Sequence, residues 1–245
     1  MKIFKIGTLK INVITLEGAV SYISKLISIN KTGYICVTNS RTSYLSHKSS
    51  EYCCIQNNSI LTVPDGMPLV WIAENAGYEN VGKVSGKDLM DSLFQISVRK
   101  GYSHYFYGCS QNTINLLENN LLKQYPGIEI KAAISPPFQS LEEYDVSGLA
   151  KHINELGPTF FWCGLGAPKQ EQLMALLQPN LENTISVGVG LAFEYFAGTV
   201  KRVPKKIENF GLEWLYRCLQ QPIKARRFII PFFWITTKIL KSKIK

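Results

Sequence analysis

Histidine is nearly missing from this chain: 245 residues hold three, His47, His104 and His152, far apart and with nothing near them at ligand spacing. A metal centre is therefore not expected. A Cys-x-x-Cys pair is absent too. The six cysteines (36, 53, 54, 109, 163 and 218) match neither a zinc site nor a secreted disulfide framework, and they read as reduced thiols of a cytoplasmic protein. No run reaches the roughly 18 to 20 consecutive apolar residues that a membrane span requires. Lys5, Lys10 and Asn12 interrupt the N-terminus, which therefore lacks the apolar stretch of a signal peptide. Charged residues make up only 18% against 46% hydrophobic ones, which excludes a disordered chain and allows a substantial core. Internal repeats and low-complexity segments are absent as well.

The charge that is present is unevenly placed. Of 27 basic residues twelve lie from Thr199 onward, while only two of the 18 acidic ones, Glu208 and Glu213, do; the tail carries the whole formal excess of +9. A basic tail suits nucleic acid, an anionic membrane surface or plain solubility. Here the basic residues stand among Trp, Tyr, Phe and Ile, as in "RRFIIPFFWI", and are interrupted by Pro222 and Pro231. That company favours a segment lying in the lipid headgroup region over a nucleic-acid binder.

The first two hundred residues alternate short β-rich runs with helical patterns, the signature of a parallel sheet wrapped by helices. Strands are expected in "YICVTN" (34 to 39), "ILTVPDG" (60 to 66), "SHYFYGCS" (103 to 110), "TFFWCGLG" (159 to 166) and "TISVGVG" (184 to 190), each leading into a helix. The fold class is thus α/β, a Rossmann-like, mostly parallel sheet with flanking helices plus a basic, aromatic, helical C-terminal appendage. The expected division is a catalytic domain over 1–198 and a membrane-associating appendage over 199–245.

In open sheets of this kind ligands collect at the carboxyl ends of the strands, which nominates Thr38, Asn39, Asp65, Gly108, Gly164, Gly166, Gly188 and Gly190. A glycine turn opening a helix offers free N–H groups and a positive dipole end to a phosphate, although close packing explains such glycines equally well. Neither "GLGAPK" nor "GVGLAF" completes a dinucleotide fingerprint, and no Walker Gly-Lys-Ser/Thr occurs. Asp65, in "TVPDGMPLVW", reads either as a partly desolvated general base or as an aspartate that stabilises its own turn. Lys83 and Lys87 are placed to neutralise a pyrophosphate or are plain surface. Asp88 and Asp91 do not form the Asp-x-Asp pair that holds a divalent metal under a nucleotide sugar. Gln170 and Glu171, after Lys169 in the first turn of a helix, fit helix-start propensity or a ligand's polar edge.

Taken in order, "VTNS" (37 to 40), "VPDGMPLVW" (63 to 71), "KVSGKDL" (83 to 89), "YFYG" (105 to 108), "GLGAPKQE" (164 to 171), "GVGLAFEYFAGTVKRVP" (188 to 204) and "GLEWLYRCLQQP" (211 to 222) resemble the WecG/TagA/CpsF glycosyltransferases of bacterial surface polysaccharides. The resemblance implies inverting, metal-independent transfer of a sugar from a UDP-sugar to an undecaprenyl-diphosphate-linked acceptor. The sugar it suggests is N-acetylmannosamine or its uronic acid, with UDP-glucose or UDP-glucuronic acid as the alternative. It also implies a cytoplasmic enzyme, peripheral on the inner membrane face, that needs no cofactor and no nucleic acid. By the family pattern Asp65 is the base, Thr38, Asn39 and Gln170 line the site, and the glycine turns hold the nucleotide. Lys83, Lys169, Arg217, Arg226 and Arg227 join the substrate-binding set, the arginines neutralising the leaving diphosphate. Off the membrane, the apolar tail is expected to be buried between subunits of a homo-oligomer. Lys83 stands where the family commonly has arginine, and "GVGLAFE" replaces the usual "GVGGAFD". A non-catalytic nucleotide- or lipid-binding protein on the same scaffold is the competing reading.

Overall fold

A computed structural model describes residues 1–220 and 222–242, with the side chain of residue 224 left undescribed. In chain order the elements are β1 (Ile3–Ile6), β2 (Leu9–Asn12), α1 (Leu16–Ser28), β3 (Gly33–Thr38), α2 (Ser40–Lys48), α3 (Ser50–Asn57), β4 (Leu61–Pro64) and α4 (Met67–Asn75). Then come α5 (Gly86–Lys100), β5 (Ser103–Gly108), α6 (Gln111–Gln124), β6 (Glu129–Ile134), α7 (Val146–Leu156), β7 (Phe160–Gly164), α8 (Lys169–Leu177), β8 (Ile185–Gly188) and α9 (Ala192–Ala197). The tail holds α10 (Lys205–Asn209), α11 (Glu213–Gln220) and α12 (Arg226–Ser242).

Six strands form one sheet in the order β4-β3-β8-β7-β5-β6, with parallel registers from β3 through β6. The α/β class expected from the alternating pattern is what the chain adopts, and each of the five expected strands is present. Two segments were not anticipated. One is the β1–β2 antiparallel hairpin, in which Ile3 faces Asn12 and Ile6 faces Leu9 across a Gly7–Thr8 turn. Gly7 takes φ +65°, the sign that a two-residue hairpin turn demands. The other is β6, an edge strand only partly covered along its length.

The chain forms two compact units, one of Met1–Leu16, Val37–Ser85 and Arg202–Lys245, the other of Glu17–Cys36 and Gly86–Lys201. The core of the second is aromatic. Phe94 of α5 meets the rings of His104, Phe106, Tyr125, Trp162 and Phe196 at centroid distances of 5.0 to 6.0 Å, mostly edge to face. His104 belongs to this core: it stacks on Phe160, its Nδ1 accepts from Trp162 Nε1–H at 3.0 Å, and burial pushes its pKa down to about 3. All six cysteines are free thiols.

The core of the first unit joins Phe4, Ile6, Leu9 and Ile11 of the hairpin to Cys53, Leu69, Ile72, Ala73 and Ile235. The tail thus completes a core: Ile235 of α12 is fully buried, and Trp234 stacks on His47 at 5.2 Å and meets Tyr44 edge-on at 5.7 Å. Pro231 does not interrupt the tail as the sequence suggests, because α12 runs through it. Pro231 lies inside the helix, where it forfeits one backbone bond, and it is buried. The opposite face of the tail stays open: Phe210, Leu212, Leu215, Leu219, Ile223, Ile230, Phe233 and Leu240 are all exposed. Among the described residues no helix is long and apolar enough to cross a membrane.

Candidate active site

Within the first unit, β3 and β4 end side by side, the Asp65 N–H donating to the Thr38 carbonyl at 2.6 Å. The segment before α5 is pinned alongside by Val84 N–H to the Pro64 carbonyl at 2.8 Å. Asp65 then lies in the turn, and Gly66 at φ +108° swings the chain into α4, where Pro68 costs no helical bond. The two sequence neighbours at the end of β3 are committed to structure. Thr38 is buried and its hydroxyl donates to Gln56 Oε1. Asn39 caps α2, its Oδ1 accepting from the N–H groups of Arg41 and Thr42 at 3.0 and 3.2 Å.

Around Asp65 stand two cations, Lys83 and Arg217, and two further carboxylates, Glu208 and Glu213, with Arg202 bound to the first of these. Lys83 Nζ donates to Glu208 Oε2 at 2.9 Å and lies 3.7 Å from Glu213 Oε2. Arg202 grips Glu208 with a fork, Nε to Oε1 at 3.0 Å and Nη2 to Oε2 at 3.2 Å. Arg217, one turn along α11, donates to Glu213 Oε1 through Nε at 2.9 Å and through Nη2. Above them Gly211, at φ +69°, lies so close to the Trp71 ring that a Cβ there would approach to 2.5 Å.

This setting dictates the proton affinities. Desolvation, with Glu213 and then Glu208 adding repulsion, raises the Asp65 pKa to about 7, even though Lys83 and Arg217 pull the other way. Burial would lower the Lys83 pKa, but Asp65, Glu213 and Glu208 together hold it above its ordinary value. Glu208 is desolvated, yet the Arg202 and Lys83 bonds keep its pKa low. The site therefore contains one carboxylate poised to accept a proton near neutrality, beside ammonium and guanidinium groups that stay charged.

Of the residues expected from sequence, the structure brings together Asp65, Lys83 and Arg217, with Thr38 holding the Asp65 backbone. Arg226 and Arg227 are exposed in the first turn of α12. The sequence reading missed Arg202, Glu208 and Glu213 as site residues. One signal pointed at them: Glu208 and Glu213 are the only acids among the twelve basic residues of the tail.

The glycine turns belong to the second unit. Close packing fixes three of them. A Cβ on Gly108 would come within 2.6 Å of the Gly164 backbone, one on Gly164 within 2.5 Å of the Phe193 ring, and one on Gly188 within 2.8 Å of Met174. Gln170 is buried and ties the two turns together, its Oε1 accepting from the Gly166 and Gly190 N–H groups at 3.1 and 3.0 Å while its Nε2 donates to Glu171. Lys169 reaches the Gln139 carbonyl and lies over the rings of Phe138 and Tyr144 at 5.2 and 5.9 Å. Burial raises the Cys163 thiol pKa to about 12 and pushes that of Cys109 up as well, which disfavours the thiolate in both.

Known proteins resemble this chain over most of its length. The chain is 28% identical over 215 residues to an N-acetylglucosaminyldiphosphoundecaprenol N-acetyl-beta-D-mannosaminyltransferase of Bacillus spizizenii, covering 87% of this chain and 81% of that one. The protein of the same name from Bacillus subtilis is 26% identical over 230 residues, covering 93% and 87%. That of Staphylococcus aureus is 28% identical over 195 residues, covering 79% and 75%. The model of the glycosyl transferase WecG/TagA/CpsF family matches residues 4–245, and the chain belongs to this family of glycosyltransferases.

Proposed function

We propose that this glycosyltransferase moves N-acetylmannosamine from a UDP-sugar to an undecaprenyl-diphosphate-linked N-acetylglucosamine, with inversion and without a metal. The observation that carries the reading is Asp65, a carboxylate with its pKa raised to about 7 beside Lys83 and Arg217. The names of the three relatives supply the sugar and the lipid-linked acceptor. In the transfer, the acceptor hydroxyl gives its proton to Asp65 as its oxygen bonds to the sugar C1. The C1–O bond to the donor diphosphate breaks, and UDP departs with that electron pair. One base and a set of fixed cations suffice for a single displacement, because no covalent sugar–carboxylate intermediate has to form. The exposed apolar residues of the tail, set among Lys and Arg, support peripheral attachment to an anionic membrane face.

The test is UDP release by the full chain with a short-chain lipid-diphosphate N-acetylglucosamine across a panel of UDP-sugars, in EDTA. Acceptor-dependent turnover with UDP-N-acetylmannosamine is expected. Turnover only with UDP-glucose or UDP-glucuronic acid would overturn the assigned sugar, and loss of turnover in EDTA would overturn metal independence.

A further inference from the structure

The cations beside Asp65 are already matched by the chain's own carboxylates, and the two matches differ in strength. Glu208 is 8% exposed and is held by the Arg202 fork and by Lys83 at 2.9 Å. Glu213 is 25% exposed, and its partners are Arg217, on its own helix, and Lys83 at a looser 3.7 Å. With one oxygen on Arg217 and the other toward Lys83, its carboxylate spans an arginine and a lysine as two oxygens of a phosphate group do. Glu213 and Arg217 are four residues apart on α11, so their pairing needs nothing from elsewhere in the chain.

We propose that Glu213 is a resident counter-anion, which keeps the seat between Lys83 and Arg217 filled until a substrate diphosphate displaces it. The inference rests on the reading that a diphosphate is handled beside Asp65. No covalent bond changes: the Glu213 carboxylate moves toward solvent as diphosphate oxygens take over its two partners. A singly charged anion gains little by such an exchange, whereas a diphosphate brings more charge than it displaces. The seat therefore selects for the diphosphate group, which both a nucleoside diphosphate and a lipid diphosphate carry.

The experiment is calorimetry on the full chain in EDTA, titrating inorganic pyrophosphate, UDP and a farnesyl-diphosphoryl N-acetylglucosamine into wild type, Glu213→Gln and Arg217→Gln. Glu213→Gln is expected to bind pyrophosphate about tenfold more tightly, because one like charge at contact distance is gone, and Arg217→Gln more weakly. Where pyrophosphate gains, a matching gain for UDP but not for the lipid compound assigns the seat to the donor, and the reverse assigns it to the acceptor. Pyrophosphate bound equally well or less well by Glu213→Gln overturns the inference and leaves the proposed function standing; no binding by wild type or variant overturns both. Should Glu213→Gln fail to fold, wild type decides. Pyrophosphate is expected to slow phenylglyoxal modification of Arg217, and an unchanged rate overturns the proposal.

Discussion

An aspartate that keeps its proton up to about pH 7 is a stronger base than one that releases it near 3.8, and the same burial that makes it so leaves a charge poorly solvated at neutral pH. Between those two values the folded chain binds more protons at Asp65 than the unfolded one, so stability from this group is fully present below about pH 4 and is lost as pH rises through about 7. Asp65→Asn should therefore raise the melting temperature at pH 8 and leave it unchanged at pH 4; equal shifts at both would detach the effect from this charge. The same variant should lose roughly 100- to 10,000-fold in turnover, the usual contribution of a positioned base. In wild type kcat should fall on the acidic side of about pH 7. In Lys83→Met that limb should move to higher pH, since Lys83 is the strongest of the groups that lower the Asp65 pKa; an unmoved limb would remove Lys83 from the electrostatics of the base. Asp65 and Arg217 were legible because both stand in short blocks with a recognisable order. Glu208 was not, since it meets Lys83 across 125 positions of chain and local spacing carries no trace of such a pairing.

Strands buried on both faces announce themselves as apolar runs ending at a turn, and β3, β4, β5, β7 and β8 were readable on that basis. The β1–β2 hairpin alternates instead, with Phe4, Ile6, Leu9 and Ile11 inward and Lys5 and Lys10 outward. In a four-residue strand such an alternation is brief enough to pass unnoticed. The tail helix was legible as amphipathic but not as core, because a stripe of apolar residues does not say whether lipid or protein covers it. Here both faces are apolar, and Pro231, Trp234, Ile235 and Ile239 are turned inward. Ile235→Ala should cost about 2–4 kcal/mol in urea unfolding, a cavity in a closed core, whereas Phe233→Ser, at an exposed site on the same helix, should stay within about 0.5 kcal/mol. Equal costs would mean that α12 is not seated as described.

Across the whole molecule, the positive excess falls in the same forty-odd positions of the tail as exposed Phe210, Leu219, Ile223, Phe233 and Leu240. That coincidence predicts binding to vesicles containing anionic lipid, with the affinity falling as salt screens the charges. Co-sedimentation should drop in a Phe233→Glu/Leu240→Glu variant whose melting temperature is unchanged; undiminished sedimentation would move the contact surface elsewhere.

Three of the four tryptophans lie on the tail or directly beneath it. Trp214 stacks on Phe232 at 4.1 Å, Trp234 rests on His47, and Trp71 is covered by Gly211. The fourth, Trp162, is sealed in the aromatic core of the other unit. The intrinsic fluorescence of the chain is thus an optical gauge of whether the tail is seated: undocking should redden and weaken three emitters at once while Trp162 supplies a constant background. Tail release by vesicles or by pyrophosphate becomes measurable in a cuvette, with no label attached.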